Sequence, residues 1–415
     1  MVNQKFTVII PTRERCEVLW ACLKTVTAQE YENLEIIVSD NVSADATVDV
    51  VRSICDPRIK YINPGRRLSM SHHWEFALSH VSDGWVAIIG DDDGLMPNAI
   101  SKVAGIVDSS DTKLVRSGAA WYRWPSMTGT AYGRMGVPLG SSVSIKNSQD
   151  SLKKVLKGHG HYMDLPMLYT GTFAHLSAIN RARNIAGHFF ASNQPDIYSA
   201  LALASVESTF LFLAEPLALA GLSGRSNGAS FLYGTKPAAG KPAEHELFFQ
   251  EDIIPFHVDI PLDVAGMPPK SIQVLVLESW LQSLHLRGAS EYSTHQEQLA
   301  IILATSGKNR DNVEEWAIRF AIQHALDINV ARQRAAHFKY RAAIPTMEAR
   351  WRHGVDTSEV GSKSIPIRDV YEASIVAAAI RGHVPGRTRN ALSYLKRTGL
   401  RIGAHLLKSD QRTQD

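Results

Sequence analysis

The sequence predicts an α/β fold, with a mostly parallel, Rossmann-like sheet in the N-terminal part of the chain and helices in the C-terminal part. Short apolar runs typical of buried strands alternate with helical patterns over residues 6–89. Strand signals fade beyond about residue 265, where helical runs dominate. The length of 415 residues is that of two or three domains of ordinary size.

The first elements form a βαβ unit. Residues 6–10 are a short apolar run that Pro11 ends, and apolar side chains then recur at helical spacing over residues 18–26. Residues 35–39 give the next strand, which Asp40 closes. The pattern therefore predicts two parallel strands joined by a helix.

A further helix and strand follow in the same order. Trp74, Ala77, Leu78 and Val81 lie at helical spacing, and residues 85–89 then form a buried strand that ends at Gly90. Ligands bind beyond the carboxyl ends of the strands in such sheets. We therefore expect the three loops after these strands to converge on one crevice; they comprise residues 11–15, 40–45 and 91–94.

The rest of the chain divides by composition. Strand-like runs at 113–116, 119–123 and 172–179 predict an antiparallel extension, and a helix starts at Asp196, directly after Pro195. Residues 221–243 are rich in Gly, Ser and Pro, which predicts a loop followed by a linker and marks a boundary. The predicted units are a sheet domain over 1–234, a linker over 235–264, a helical region over 265–385 and a basic amphipathic tail over 386–415.

Composition restricts the classes of function. The 44 Lys and Arg residues exceed the 41 Asp and Glu residues by a formal charge of only +3, so we expect no nucleic acid as partner. Cys16, Cys22 and Cys55 are odd in number and lack CxxC spacing, which argues against a disulfide framework and a cysteine-rich zinc site. This usage indicates a reducing compartment.

The ends of the chain bear on its location. The first residues lack the features of a secretory signal, and no apolar run reaches the roughly 18–20 residues of a membrane span, so we expect a cytoplasmic protein. Residues 381–415 carry eight Lys or Arg against two Asp. Such a tail is a candidate peripheral contact with the inner face of a membrane. A helix docked on its own protein, with a solvated charged face, fits the same pattern.

An acidic triplet follows the buried strand at residues 85–89. Asp91, Asp92 and Asp93 stand between Gly90 and Gly94, and three adjacent carboxylates repel each other unless a cation offsets them. Mg²⁺ or Mn²⁺ is the natural partner, held by one or two carboxylates with a substrate diphosphate supplying further oxygens. The alternative is a solvated acidic turn or a helix cap.

Two other loops offer polar groups. Asp40 ends a predicted parallel strand, where a carboxylate accepts hydrogen bonds from base or ribose donors, although Asp40 or Ser43 also suits a helix cap. Arg66 and Arg67 precede the helix that contains Trp74, and guanidinium groups suit phosphate oxygens. The alternative for this arginine pair is a solvated surface.

Three stretches together resemble the GT-A glycosyltransferases of family 2. They are TVIIPTRER at 7–15, EIIVSDNVS at 35–43 and GDDD at 90–93. The resemblance implies a metal-dependent, inverting transfer of a sugar from a nucleoside diphosphate sugar to a saccharide or lipid-linked acceptor, in surface-polysaccharide synthesis. Two departures bear on the preference for the donor base. Asp40-Asn41 replaces the usual acidic pair, and Arg13-Glu14 replaces the common Tyr-Asn.

The resemblance also implies roles for individual residues in the nucleotide site. Pro11, Thr12 and Glu14 would line the nucleotide pocket, and Asp40 would contact the base. Arg66 belongs to the same expected donor site.

The resemblance gives the three aspartates of the acidic triplet two different roles, binding of the donor and binding of a metal ion. Asp91 and Asp92 would contact the nucleotide sugar, with Asp92 facing the ribose, and Asp93 would bind Mn²⁺ or Mg²⁺. Similar enzymes place an acidic residue at the start of an acceptor-side helix, which makes Asp196 the candidate catalytic base. The alternative is that Asp196 fills a first helical turn, where the helix dipole favours its ionised form.

Two other classes of protein fit parts of the sequence. Asp91-x-Asp93 after an apolar strand superficially fits the nucleophile motif of haloacid-dehalogenase-like phosphatases, although Leu95 stands where that motif has Thr or Val. A non-catalytic scaffold that keeps the GT-A fold is the other alternative.

Overall fold

The structure is a computed structural model that describes residues 4–126, 135–138, 140–226, 251–286, 292–338 and 367–381. The predicted tail 386–415 and residues 235–250 of the predicted linker lie outside the described residues. The described helices include none that is long and apolar enough to cross a membrane.

The described residues form a mixed sheet of ten strands. The strands are β1 (Phe6–Thr12), β2 (Leu34–Asp40), β3 (Ile59–Ile62), β4 (Trp85–Ile88), β5 (Gly94–Leu95), β6 (Leu114–Arg123), β7 (Met135–Gly136), β8 (Val143–Asn147), β9 (Thr172–His175) and β10 (Thr209–Leu222).

The described α-helices cover the sheet and build the C-terminal region. They are α1 (Cys16–Thr27), α2 (Thr47–Ser53), α3 (Met70–Ser79), α4 (Ala99–Val107), α5 (Ser148–Leu156), α6 (Leu176–Ala186), α7 (Pro195–Val206), α8 (Ile272–Gln282), α9 (His295–Ala304), α10 (Arg310–Gln323), α11 (Ile328–His337) and α12 (Val370–Arg381).

The sheet order is β3-β2-β1-β4-β9-β6-β10-β5, with β7 pairing with β6 and β8 with β10. The first four strands are parallel to each other, whereas β9 is antiparallel to both β4 and β6. Both faces of the parallel strands are covered, because Val8 and Ile10 pack into one core while Ile9 packs into the other. The predicted α/β class is confirmed.

The strands differ from the prediction in several details, and β5, β7 and β8 were not predicted. Residues 114–123 form one strand instead of two, and the strand predicted over 172–179 ends at His175, where α6 begins. Strand β10 was missed entirely, and it extends to Leu222, inside the stretch predicted as a loop. Its residues follow the apolar helix α7 almost directly, and periodicity does not separate a buried helix from a buried strand.

Helix α7 connects the two halves of the molecule. Its apolar residues face two cores: Ile197 and Leu201 pack with α8 to α11, whereas Tyr198 and Leu203 pack with the sheet and α3. A helix that is apolar on all sides is a buried helix. The boundaries of the predicted units stay a prediction, but the helical region and the sheet share α7 as part of their cores.

The final described helix returns to the sheet. Val370, Ala373 and Ala377 of α12 pack in one cluster with Val18 of α1 and with residues of β6 and β10. Tyr122 of β6 donates a hydrogen bond to the backbone oxygen of Ile367, 2.8 Å away. The last described helix, α12, therefore packs on the sheet and α1.

Candidate active site

The loops after β1, β2 and β4 meet at the carboxyl edge of the sheet, as predicted. The Thr12 hydroxyl donates to Oδ2 of Asp91 at 2.7 Å, and the backbone N–H of Asn41 donates to the carbonyl oxygen of Thr12 at 3.0 Å. The backbone N–H of Cys16 donates to Asp45 at 2.9 Å. The parallel order β2-β1-β4 produces this convergence, because neighbouring parallel strands end at the same edge.

The acidic triplet lies inside the protein. Asp91, Asp92 and Asp93 are each at most 3% exposed. Arg15 bridges the first two, with Nη1 3.0 Å from Oδ1 of Asp91 and Nη2 2.5 Å from Oδ2 of Asp92. The Ser223 hydroxyl also donates to Asp92, at 2.6 Å. A protein cation therefore offsets part of the charge that the sequence argument assigned to a metal ion alone.

Asp93 has neutral donors around its carboxylate. The Thr170 hydroxyl and the backbone N–H of Gly90 donate to Oδ2, at 2.6 Å and 2.9 Å, and the backbone N–H of Gly221 donates to Oδ1 at 2.7 Å. Burial, together with the adjacent Asp92, raises the pKa of Asp93 to about 7. Burial likewise raises the pKa of Asp91 to about 6, against the opposing effect of Arg15.

Strand β10 forms a wall of the site by direct backbone contact. A Cβ at Gly221 would lie 1.7 Å from the carbonyl oxygen of Asp92, so no other residue fits without a shift of backbone. The same carbonyl oxygen accepts a hydrogen bond from Nε1 of Trp124 at 2.8 Å. The missed strand therefore packs directly against the backbone of the triplet.

Glu14 and Asp40 lie in the neighbouring loops. Glu14 adopts a left-handed backbone conformation with φ +54°, which is uncommon for this residue type, and its carboxylate accepts from the N–H of Ala44 at 2.9 Å. Asp40 is 2% exposed and accepts from the N–H of Ser43 and from the Tyr61 hydroxyl, at 3.0 Å and 2.6 Å. The helix-cap alternative for Asp40 is not what its contacts show, because α2 begins at Thr47.

Arg66 lies apart from the triplet. It is exposed and lines a cavity of about 380 Å³ together with His72, Phe76 and Asp252. Its neighbour Arg67 pairs with Glu14 instead, at 3.1 Å. In the described part of the chain, the structure records no hydrogen bond or ion pair between Arg66 and the three aspartates.

Asp196 lies in the first turn of α7, and helix α7 begins at Pro195. Hydrogen bonds through Ser199 link Asp196 to Leu168. The Ser199 hydroxyl donates to the backbone oxygen of Asp196 at 2.8 Å and accepts from the N–H of Leu168 at 3.0 Å. Two residues after Leu168, Thr170 contacts Asp93. Burial raises the pKa of Asp196 to about 6.

Sequence reasoning missed Arg15, Thr170 and Ser223 as members of the site. Arg15 stood within the TVIIPTRER stretch but carried no signal of its partner, since its pairing depends on the contact between two separate loops. Thr170 and Ser223 lie 77 and 131 residues from the aspartates that they contact. Nothing local in the sequence marks them.

The residues present fit a divalent metal ion. Three buried carboxylates face one guanidinium, so the cluster keeps an excess of hard, negatively charged oxygen ligands. Oδ1 of Asp93 accepts from the N–H of Gly221, and the Tyr169 side chain forms a hydrogen bond with the same carboxylate. Asp93 is the side chain that would hold such an ion.

The model of a protein family described as glycosyl transferase family 2 matches residues 7–157. This segment is a family 2 glycosyl transferase domain. The match includes the loops after β1 and β2 and the acidic triplet.

Two curated relatives are similar to part of the chain. The GalNAc(5)-diNAcBac-PP-undecaprenol beta-1,3-glucosyltransferase of Campylobacter jejuni is 36% identical over 100 residues, which are 23% of this chain and 32% of that protein. The succinoglycan biosynthesis protein ExoO of Rhizobium meliloti is 23% identical over 108 residues, 26% of this chain and 31% of its own. The chain thus spans about a third of the length of these two relatives.

Solved structures show similarity over a larger part of the chain. Residues 1–349 of S. aureus TarS match with 14% identity and a TM-score of 0.45, covering 81% of this chain and 93% of that chain.

Proposed function

We propose that the protein is a glycosyltransferase that moves a sugar from a nucleoside diphosphate sugar to a hydroxyl of a saccharide or lipid-linked acceptor, with inversion at the anomeric carbon. The observation that supports this most is the buried acidic triplet at the carboxyl edge of a family 2 glycosyl transferase domain. Such an edge is where open α/β sheets bind their ligands.

The donor nucleotide is bound, in this proposal, by the loops after β1 and β2. Pro11, Thr12 and Glu14 line one side, and Asp40 accepts from the base. The Tyr61 hydroxyl and the Ser43 N–H already orient the Asp40 carboxylate, which reduces the entropy lost when it binds. Asp91 stays paired with Thr12 and Arg15 and thereby supports the positions of its neighbours.

The diphosphate lies against the acidic triplet in the proposed complex. Asp93 would hold Mn²⁺ or Mg²⁺, whose Lewis acidity stabilises the charge on a departing nucleoside diphosphate. Asp92 faces the ribose. The exposed guanidinium of Arg66 is a candidate contact for a phosphate oxygen at the rim.

Asp196 is the proposed general base. It takes the proton of the acceptor hydroxyl as that oxygen attacks the anomeric carbon from the face opposite the leaving group, which inverts the configuration. Burial raises the pKa of Asp196 to about 6, close to the pH at which a base acts most effectively in cells. Its place in the first turn of α7, beside the segment that contacts Asp93, supports this role.

The names of two relatives support the proposed acceptor class. The Campylobacter protein is named for a glucosyl transfer involving an undecaprenol-linked saccharide, and the Rhizobium protein for succinoglycan biosynthesis. We infer an acceptor of this chemistry, hence a role in surface-polysaccharide synthesis. The tail 386–415, outside the described residues, is the proposed peripheral contact with the membrane that carries such an acceptor.

A thermal-shift panel tests the proposal. The full chain is heated with UDP, GDP, UDP-glucose, UDP-N-acetylglucosamine and GDP-mannose, each with and without Mn²⁺, because a ligand of the native state raises its melting temperature. We expect one base to be preferred and its effect to need Mn²⁺. The D93N variant should lose the effect of Mn²⁺, and the D196N variant should keep it.

Turnover separates the two variants further. With the donor that binds, release of the nucleoside diphosphate should stop in D196N although binding persists. Release of inorganic phosphate from phosphomonoesters, without binding of any nucleotide, would refute the transferase assignment. Equal loss of nucleotide binding in D93N and D196N would refute the separate roles of these two residues.

A further inference from the structure

Glu278 of α8 is a buried carboxylate that the proposed reaction does not use. It is 1% exposed, on the helix α8 that packs against α7. The Ser192 hydroxyl donates to its Oε2, and Nε2 of Gln282 donates to its Oε1 at 3.0 Å. The backbone of His257 donates to it as well. Burial raises the pKa of Glu278 despite these hydrogen bonds.

A carboxylate at this place is costly for folding. Removing an ionised group from water costs several kcal/mol unless hydrogen bonds compensate, and neighbouring buried positions of α8, such as Leu277 and Leu281, carry apolar side chains. The group therefore needs an explanation other than packing. Hydrogen bonds to an ionised acceptor are shorter and about twice as strong as neutral ones, so they fix geometry well.

The partner of Glu278 begins the segment that leads to Asp196. Because an ionised carboxylate only accepts, the Ser192 hydroxyl must donate to it, and the lone pairs of that hydroxyl stay free to accept. The N–H of Gln194, the residue before α7, donates to the Ser192 oxygen at 3.3 Å. Glu278 thus fixes the direction of donation in a chain of hydrogen bonds that ends at Gln194, the residue before α7.

Other contacts hold the same segment. The Ser71 hydroxyl of α3 donates to the backbone oxygen of Ser192 at 2.6 Å, and the Ser279 hydroxyl lies 3.0 Å from that of Ser192. Nδ2 of Asn193 donates to the backbone oxygen of Ile254 at 2.6 Å. The segment 192–194 is therefore tied to the sheet domain on one side and to the helical region on the other.

We infer that Glu278 is a positioning residue for the base Asp196, and that the C-terminal helical region thereby sets the geometry of the acceptor side of the site. This inference rests on the proposed function, because it takes Asp196 as the base. The contact runs through Ser192 and Gln194, so Glu278 acts on the reaction without touching substrate. The helical region then has a role in turnover as well as in burial of α7.

The test compares E278L and E278Q with wild type. Leucine keeps the apolar packing of α8 but removes the acceptor, whereas glutamine keeps one acceptor oxygen for Ser192. We expect E278L to lower kcat on the order of 100-fold, because misplacement of a reacting group by about 1 Å has that effect. KM for the donor and the Mn²⁺-dependent shift with UDP or GDP should change less than about twofold, since Glu278 lies outside the donor site. E278Q should restore most of the turnover.

The control variant is E315Q, whose carboxylate is 72% exposed on α10. It should match wild type in every measurement. S192A provides a second route if E278L does not fold, because it removes the same hydrogen bond by deleting one oxygen. Turnover is measured as nucleoside diphosphate released from the sugar donors named above, and crystal structures of wild type and variant report the position of the Asp196 carboxylate.

The outcomes distinguish this inference from the proposed function. Loss of kcat with unchanged KM and a displaced Asp196 supports the inference. Wild-type kcat in E278L and S192A, with D196N inactive, overturns the inference alone. Full activity of D196N refutes the proposed base and, with it, the reason for a positioning residue. A lowered melting temperature with unchanged kcat and an unmoved Asp196 assigns Glu278 a structural role only and also overturns the inference.

Discussion

The guanidinium of Arg15 lies 3.0 Å from the carboxylate of Asp91, at the edge of the sheet where three loops meet. The same guanidinium reaches Asp92, so a single side chain from the loop after β1 joins two of the three carboxylates that follow β4. Both aspartates are almost fully buried, and a charge in that environment needs a partner. The protein therefore enters its proposed reaction with the triplet already partly neutralised.

Replacing Arg15 by Gln should destabilise the protein and increase its response to metal ions. Two buried carboxylates would lose their cation, and breaking a buried ion pair costs about 3–5 kcal/mol. Mn²⁺ would then offset more charge than in wild type, so it should raise the melting temperature of R15Q by more. Thermal unfolding with increasing Mn²⁺ measures both effects.

The control is R319Q, which removes an exposed pair with Glu315 on α10. Exposed pairs contribute about 0–1 kcal/mol, so R319Q should unfold like wild type. An R15Q protein with wild-type stability and a wild-type response to Mn²⁺ would contradict the role of Arg15 as partner of the triplet.

Replacing Gly221 by Ala should disrupt the site from the side of β10. The new Cβ would lie 1.7 Å from the carbonyl oxygen of Asp92, and a contact with backbone cannot be relieved by a side-chain rotation. Overpacking costs about 1–3 kcal/mol, and the bond from the Gly221 N–H to Asp93 would be strained at the same time. Chemical denaturation should show this loss, and binding of nucleotide with Mn²⁺ should weaken.

Gly105 is the matched glycine. It lies inside α4, and a Cβ there meets nothing within 4 Å. Alanine is favoured over glycine in a helix by about 1 kcal/mol, so G105A should gain stability where G221A loses it. Equal effects of the two substitutions would show that the close approach to Asp92 is not the cause.

Stability should depend on pH through Asp196. Burial raises its pKa from an ordinary 3.8 to about 6, so the native state holds a proton in that window while the unfolded state releases it. The contribution of Asp196 to the free energy of unfolding, up to about 3 kcal/mol, is fully present below about pH 4. It is lost as the pH rises through about 6. D196N removes this loss, so its free energy of unfolding relative to wild type should rise between pH 4 and pH 7. A difference that stays constant with pH would contradict the raised pKa.

Turnover should depend on pH in the opposite direction. A general base must be ionised, so kcat should fall about tenfold for each pH unit below the pKa of about 6 and level off above it. The pH profile of nucleoside diphosphate release measures this limb. A kcat that is independent of pH between 4.5 and 7 would exclude Asp196 as the base, whatever its effect on stability.

Much of the fold was predictable from local pattern. The strands β1, β2 and β4 and the helices α1 and α3 carry their signal in contiguous residues, because the periodicity of a strand or helix arises within a few residues. The order of those parallel strands then requires that Thr12, Asp40 and the triplet share one edge. The resemblance to family 2 rests on the same stretches, and the family match over 7–157 confirms it.

Strand β10 and helix α7 show where this reasoning fails. Residues of α7 are apolar on all sides because the helix lies between two cores, and β10 is buried within the sheet. Neither keeps the alternation of apolar and polar residues that one exposed face produces. Their identity as helix and strand depends on what packs around them.

The sequence by itself determined the class of the fold, the strand ends that carry carboxylates and the family of the N-terminal domain. Only the tertiary structure decided which groups neutralise and orient those carboxylates: Arg15 and Ser223 at Asp92, Thr170 and Gly221 at Asp93, and Glu278 behind the segment leading to Asp196. The physical reason is distance along the chain. A hydrogen bond between residues about a hundred positions apart leaves no periodic trace in the sequence, because it exists only once folding has brought the two elements together.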